Sequence, residues 1–193
     1  MDALEAILTR TTVPPAKMGP PGPDEAQLRR ILEAGAAAPD HGCLRPWRFL
    51  VVRGAARERL GELFAAAVRA KDAAASAQEV EKQLTSPLRA SVVVAVVARI
   101  QKDHRKIPEV EQIASAAAAM QNMLLAAHAQ GLAAKWVSGQ NAYDPTVRRG
   151  LGLAADDLIT GFLFLGTPTA SHEGGARPAL EGIVAEWTGE LTQ

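Results

Sequence analysis

Three short segments of the chain combine residue types that can bind a ligand or act on it. In the first, Arg10, Thr11 and Thr12 place a guanidinium beside two hydroxyl groups. This combination suits a phosphate, because it offers a bidentate cation and neutral donors. From the residues alone, a second interpretation is more frequent: an arginine that caps a helix C-terminus, followed by two loop threonines. The segment therefore indicates either a phosphate site or an ordinary helix end.

The second segment brings a carboxylate, an imidazole and a thiol together in Asp40, His41 and Cys43. A Cys–His nucleophile needs a third group that orients the base, and neighbours this close in sequence rarely align. A metal site needs further ligands, and the remaining histidines are scattered along the chain. A ligand-contacting loop and a solvated turn are the other interpretations, and the turn is the most frequent of them. We expect no metal site.

The third segment lies between Gly131 and Gly139 and reads as a strand whose flanking glycines let a ligand approach the backbone. Arg177 offers a second cation near the C-terminus, although a surface arginine is the plainer interpretation. The sequence contains no Ser-His-Asp order, no paired carboxylates at a convincing spacing and no Cys-x-x-Cys. An enzyme without such groups is most easily one whose cofactor does the chemistry.

The elements that must position these segments alternate between helices and strands, so the class is α/β or α+β. Helices are expected over 2–9, 24–37, 55–74, 77–84, 108–130 and 144–151. Strands are expected over 48–52, 91–98, 134–138 and 159–165, and residues 179–191 as a strand or an arm across a partner. The run 91–98 is apolar throughout, which predicts a strand buried on both faces. The second half of helix 108–130 is apolar or small nearly all round, which predicts burial in the core and a subunit interface.

The 193 residues include 21 basic and 21 acidic side chains, so the formal net charge is zero, and 48% are hydrophobic. This composition favours one globular domain. It argues against a nucleic-acid partner, because proteins that bind nucleic acids usually have an excess of basic residues. The single cysteine favours a reducing cytoplasm. Neither a secretory signal nor a membrane span is expected, and no membrane partner. We expect a cytoplasmic protein of one domain, 1–193, with residues 170–193 as a C-terminal arm.

Four segments together resemble a known family. In order they are DALEAILTRTT, ILEAGAAAPDHGCLRPWRFLVV, KIPEVEQIASAAAAMQNMLLAAHAQGLAAKWVSG and GFLFLGTP. With them the chain resembles the nitroreductase family of FMN flavoproteins, and most of all its small bacterial NAD(P)H nitroreductases. The resemblance implies an α+β sandwich with a central mixed β-sheet flanked by helices. It also implies an intertwined homodimer with FMN bound at the subunit interface, two sites per dimer.

The resemblance also implies which residues contact the cofactor. The phosphate contacts would be Arg10, Thr11, Thr12 and Arg177. The partner chain would supply Pro39 and His41, and the flavin ring would lie along Trp136, Val137 and Ser138, with Gly131 close by. The family commonly has Arg-Arg-Ser or Arg-Ser at the first motif and Gln before Pro-Trp, where this chain has Thr11 and Arg45.

The activity that the resemblance implies is hydride transfer from NAD(P)H to electron-poor acceptors such as nitroaromatics or quinones, by a ping-pong mechanism. No side chain is expected to be catalytic, since the flavin does the chemistry. Arg45, Lys135 and Lys17 are candidate donors to the negative charge at the N1–C2=O edge. The alternatives are a non-catalytic FMN-binding dimer, a specialised flavin oxidase or dehalogenase, and a hydrolase built on residues 40–43.

Overall fold

The computed structural model describes residues 1–189, in which five strands form one central sheet between layers of helices. The helices are α1 Ala3–Thr9, α2 Glu25–Ala36, α3 Ala56–Lys71, α4 Ala77–Thr85, α5 Glu109–Ala129, α6 Gly139–Tyr143 and α7 Pro145–Gly150. The strands are β1 Met18–Gly19, β2 Trp47–Arg53, β3 Val92–Ala98, β4 Ala133–Val137 and β5 Leu158–Pro168. Single 3₁₀ turns begin at Pro15, His41 and Ser86.

The predicted starts of α1, α2 and α7 agree with the structure, and a side-chain cap determines each of them. Asp2 accepts from the amide of Glu5 at 2.9 Å, and Asp24 with Gln27 forms a complete capping box at the start of α2. Asp144 likewise caps α7, whose first residue is proline. The short elements β1 and α6 were not predicted, since two and five residues show no hydrophobic period.

All pairings between the named strands are antiparallel, so the expectation of a mixed sheet is wrong for the described residues. The order is β1-β5-β3-β2, and β4 also pairs with β5. Two helices, α3 and α4, connect β2 to β3. The chain reverses its direction from β2 to α3, from α3 to α4 and from α4 to β3. After these three reversals β3 runs antiparallel to β2.

The sheet separates two apolar layers. On one face α3 and α7 cover β3 and β5, and the ring of Phe64 meets that of Phe162 edge-on at 5.1 Å between centroids. On the other face α2 and α5 pack through Ile31, Met120 and Met123, all fully buried. Successive residues of β3 enter alternate layers, and therefore all seven are buried, as the apolar run predicts.

The helix α5 is buried along one side only within a single chain. Its inward face includes Met120, Met123 and Leu124, whereas Val110 is 68% exposed and Ile113 36% exposed. The remaining small and apolar residues of α5 lie partly open to solvent. The structure therefore confirms the core role of this helix, and its interface role stays a prediction.

The last described residues cross the surface without joining the sheet. Residues 170–189 form no helix or strand, apart from one isolated bridge between Glu181 and Val184. The strand expected over 179–191 is therefore wrong for 179–189, and 190–191 lie outside the described residues. Leu180, Ile183 and Trp187 are 68%, 64% and 80% exposed, because no other part of the described chain covers them. The arm interpretation stays a prediction.

Candidate functional site

Two guanidinium groups meet where α1 ends. The Nη2 atom of Arg177 donates to the carbonyl oxygen of Arg10, and Arg177 also bonds the carbonyl oxygen of Leu8 at 3.3 Å. Arg177, not Arg10, therefore satisfies the free carbonyl groups at the end of α1. Arg10 is left to donate to the hydroxyl of Thr12 at 3.4 Å. The structure thus brings together two of the residues expected to contact phosphate, from opposite ends of the chain.

The pair of arginines carries positive charge that no acid neutralises. Among residues 1–189, neither Arg10 nor Arg177 has a carboxylate within ion-pair distance. Partial burial lowers the pKa of the Arg10 guanidinium, and the nearby charge of Arg177 lowers it further. Like charges this close are unfavourable in the absence of an anion. The arrangement therefore fits a phosphate or another small anion.

The C-terminal segment, residues 170–177, contacts the loop that follows α1 next to this cationic pair. A Cβ atom on Gly174 would lie 2.5 Å from the side chain of Thr11, so the segment touches the loop closely at that point. The Nζ atom of Lys17 donates to the carbonyl oxygen of Ser171 at 3.1 Å. Lys17 therefore holds the segment, which sequence reasoning did not foresee because the two residues are 154 positions apart.

The strand β4 lies directly beside the loop that follows α1. The amide of Val13 donates to the carbonyl oxygen of Ala134 at 3.2 Å. From Ala134 the strand leads toward Trp136 and Ser138, and at about 3.3 Å per residue Ser138 lies about 13 Å farther on. The cationic pair and the predicted flavin-contacting residues therefore lie along one continuous edge of the molecule.

The indole of Trp136 is fixed in place. Its Nε1 atom donates to the carbonyl oxygen of Thr160 at 3.1 Å. A Cβ atom on Gly161 would lie only 2.2 Å from Nε1 and 3.1 Å from the carbonyl oxygen of Val137. The glycine is thus required for the indole to lie against β5.

Gly131 has a local role that accounts for its residue type. The helix α5 ends at Ala129, Gln130 is its C-terminal cap, and Gly131 follows with φ +74°. Its amide donates to His128 and that of Leu132 to Ala127, which is the Schellman arrangement at a helix end. Space around its Cα is open. A cofactor contact at Gly131 stays a prediction.

The loop after α2 lies at the opposite end of α5. The Nδ1 atom of His41 contacts Oε2 of Glu111 at 2.6 Å, and both side chains are about half exposed. Together with Pro39 they line an open cavity of about 390 Å³. Asp40 instead accepts from the amide of Arg45 at 2.6 Å. Within the described residues Cys43 bonds to neither, so the acid–imidazole–thiol segment does not assemble into a nucleophilic triad.

Backbone strain marks the same loop. Cys43 and Arg45 have φ values of 55° and 50°, a region that side chains other than glycine seldom adopt. Each such residue costs about 1 kcal/mol or more. The bond from Asp40 to the amide of Arg45 helps to hold this conformation, so Asp40 has a structural role here.

The predicted cofactor contacts therefore form two groups that are distant within one chain. His41 contacts Glu111 near the start of α5, and the Arg10 group lies beside His128 near its end. Glu111 and His128 are 17 positions apart, which corresponds to about 25 Å of helix. A ligand shared by the two groups through a second copy of the chain stays a prediction.

One cavity of about 410 Å³ was not found by sequence reasoning. Trp136 forms one wall, and Arg148, Asp157 and Thr160 supply its polar groups. The Nε atom of Arg148 and the hydroxyl of Thr160 are buried and have no hydrogen-bond partner among residues 1–189. These residues come from α7 and β5, and their spacing in sequence shows no motif.

The family model described as "Nitroreductase family" matches residues 18–167. This range includes the contacts on β4 and in the loop after α2, and it excludes Arg10 and Arg177. Among the described residues, no helix is long and apolar enough to span a bilayer, and no cluster of three or more potential metal ligands occurs.

Relatives and solved structures agree with this match. A protein of Escherichia coli (strain K12), provisionally named NAD(P)H nitroreductase YdjA, is 39% identical over 170 residues, which cover 87% of this chain and 89% of that protein. A Haemophilus influenzae protein, also provisionally named an NAD(P)H nitroreductase, is 35% identical over 86% of this chain and 89% of its own length.

Two solved structures share the fold. A nitroreductase-like family protein from Bacillus cereus superposes with a TM-score of 0.82 at 24% identity, covering 98% of this chain and 97% of that one. A Desulfovibrio desulfuricans protein, provisionally described as a nitroreductase and solved in complex with FMN, gives a TM-score of 0.73 at 26% identity, covering 96% and 98%. The α+β sandwich expected from the sequence is confirmed, and the chain belongs to the nitroreductase family.

Proposed function

We propose that the protein is an FMN-dependent oxidoreductase that passes hydride from NAD(P)H to electron-poor acceptors such as nitroaromatics or quinones. The observation that carries the proposal is the unneutralised pair of Arg10 and Arg177 beside β4. The names of the relatives and the FMN complex of the Desulfovibrio protein support the same cofactor and donor.

The residues present fit FMN. Its phosphate needs cationic and hydroxyl donors, and Arg10, Thr11, Thr12 and Arg177 lie together at the end of α1. Its ring needs a flat neighbour and polar main-chain groups, which the end of β4 offers at Trp136, Val137 and Ser138. Arg177 already uses Nε and Nη2 on main-chain carbonyl groups, so it would contribute mainly charge and the Nη1 atom.

We propose further that the working unit is a homodimer. Pro39 and His41 reach the flavin only from a second chain, since they lie about 25 Å along α5 from the cationic pair. Exposed apolar side chains on the arm also favour a partner, among them Leu180 and Trp187. Two such sites per dimer follow from the symmetry of the pairing.

Bound FMN would supply the redox chemistry, accepting hydride from the nicotinamide and delivering it to the acceptor in a separate half-reaction. The chain would hold the phosphate through Arg10, position the ring along β4 and exclude water with the partner's loop. Arg45 and Lys135 remain candidates to balance negative charge on the ring, whereas Lys17 is engaged with Ser171. The single thiol agrees with a reducing cytoplasm as its location.

The test is anaerobic mixing of the FMN-loaded protein with NADH and, separately, with NADPH. We expect one or both donors to bleach the flavin absorbance within seconds to minutes, and steady turnover when a nitroaromatic or quinone is added. A flavin store or sensor would be reduced once and then stop. Flavin that neither donor bleaches contradicts the proposed activity.

A further inference from the structure

His128 lies in the last turn of α5, next to the cationic pair, and its hydrogen bonding defines its tautomer. The hydroxyl of Thr9 donates its one proton to the carbonyl oxygen of Glu5 at 2.6 Å. The same hydroxyl lies 2.9 Å from Nε2 of His128. It can only accept there, so Nε2 of His128 carries a hydrogen and donates. The free Nδ1 atom is then the position that takes up a proton when the ring becomes charged.

This bond connects the end of α5 to the end of α1. Thr9 is the last residue of α1, and Arg10 follows it directly. The bond therefore helps to fix the helix end from which the Arg10 side chain extends. His128 acts on Arg10 through Thr9, and is in that sense a positioning residue.

Charged groups on α1 and directly after it act on His128, which lies on α5. Partial burial is the main cause that lowers the pKa of His128, and the positive charge of Arg10 adds to it. Glu5 on α1 opposes the shift. Arg177, from the C-terminal segment, acts on Arg10 in turn. A free site therefore disfavours a third positive charge, and a bound anion would reverse that preference.

We propose that His128 belongs to the anion site of Arg10 and Arg177, and that its protonated form strengthens the binding of a phosphate monoester there. The inference rests on the proposed function, since FMN is the phosphate monoester in question. Binding and protonation are linked, so FMN binds more tightly as the pH falls and bound phosphate raises the pKa of His128. Retention of the cofactor would then depend on pH through a residue that does not touch the flavin ring.

The experiment compares FMN affinity near pH 8 and near pH 6 for the wild type and for His128→Gln, whose amide can still donate to Thr9. A pKa increase of one unit on binding corresponds to at most about tenfold tighter binding, which is reached only well below the pKa of the free site. Near pH 6 we therefore expect a gain of less than about tenfold in the wild type relative to the variant. The phosphate of FMN itself titrates near pH 6 and affects both proteins equally, so the difference between them is the result.

Two controls make the result specific. Riboflavin has no phosphate, and its affinity is expected to show the same pH profile in both proteins. His104→Gln, in the loop before α5, is expected to keep the wild-type profile, because within the described residues His104 bonds only the amides of Lys106 and Ile107. An equal pH dependence in the wild type and in His128→Gln overturns the inference while leaving the FMN enzyme intact.

A second readout works without flavin. Imidazole signals followed by NMR give the pKa of His128 with and without inorganic phosphate, and we expect phosphate to raise it. An unchanged value overturns the anion-site role of His128. Failure of FMN to bind at any pH would instead contradict the proposed function, and the phosphate titration would still decide the role of His128.

Discussion

Arg177 donates a hydrogen bond to the carbonyl oxygen of Arg10, although the two residues are 167 positions apart in the chain. The contact holds the C-terminal segment against the end of α1 and brings the guanidinium of Arg177 close enough to Arg10 for its charge to lower the pKa of Arg10. Within residues 1–189 the pair lacks an acidic partner, which is the arrangement expected where a phosphate binds.

Replacing Arg10 by alanine should weaken FMN binding. Loss of one charged hydrogen-bonded contact costs about 1.5–3 kcal/mol, or about 10- to 150-fold in Kd. Riboflavin, which has no phosphate, should bind the variant and the wild type equally. The measurement is quenching of flavin fluorescence on titration with protein. Arg29→Ala is the control, since Arg29 pairs with Glu33 on the surface of α2. Unchanged FMN affinity in Arg10→Ala would show that Arg10 does not bind phosphate.

Replacing Arg177 by alanine should release the C-terminal segment as well as weaken FMN binding. Its side chain bonds the carbonyl oxygens of Leu8 and Arg10, and both bonds are lost. We expect faster amide hydrogen exchange in residues 170–177 and a smaller loss of FMN affinity than in Arg10→Ala. A loss of affinity with unchanged exchange would mean that the segment is held by other contacts, such as that of Lys17 with Ser171.

Gly161→Ala should destabilise the protein and displace the indole of Trp136. The added methyl group would lie 2.2 Å from Nε1, so the indole must move and its bond to Thr160 breaks. We expect the free energy of unfolding in urea to fall by about 1–3 kcal/mol, with a change in tryptophan fluorescence. Gly175→Ala is the matched control, because nothing lies within 4 Å of its Cβ position. Equal stability of the two variants would contradict the packing described for Trp136.

The stability of the flavin-free protein should decrease as the solution is acidified. Burial and Arg10 lower the pKa of His128 below the 6.5 of the unfolded chain. The unfolded state therefore takes up this proton first, and the contribution of His128, present above about pH 6.5, is lost as the pH falls through the folded pKa. Urea unfolding near pH 7.5 and near pH 5.5 measures the effect, and His128→Gln should show a smaller decrease. A steeper decrease in the variant would contradict the direction of the shift.

Cys43→Ala should retain near-normal turnover with NAD(P)H and a quinone. Cys43 is exposed and bonds to neither Asp40 nor His41 within the described residues. An inactive variant that remains folded and still binds FMN would favour the alternative of a thiol-based hydrolase. Turnover of the wild type without flavin would favour it as well.

Local signals predicted most of the fold. The apolar run of β3, the capping box at Asp24 and the Asp144-Pro145 start of α7 each depend on residues a few positions apart. The direction of strand pairing was predicted wrongly, because it depends on how α3 and α4 return the chain. The helix α6 was missed, since its five residues are too few to show a hydrophobic period.

In the candidate site, too, local signals were predicted from the sequence and contacts between distant residues were not. The types of Arg10, Thr11 and Thr12 indicated either a phosphate site or a helix end, and the sequence left open whether Arg10 binds phosphate or caps α1. The structure assigns the cap to Arg177, through a contact that no local pattern encodes. The partner of His41 is Glu111, 70 positions away, and it could not be read from the neighbouring Asp40 and Cys43. Contacts between residues this far apart in sequence can be identified only once the fold is known.

The central claim is that each flavin lies between Arg10 of one chain and His41 of the other. Arg10→Ala and His41→Ala should each bind FMN weakly as homodimers. In a mixed dimer of the two variants, one site has both residues intact and the other has neither. Differently tagged chains, co-expressed and purified through both tags, give this mixed dimer for titration with FMN. The account predicts one tight FMN site per mixed dimer, and a mixed dimer that binds no better than either parent would contradict it.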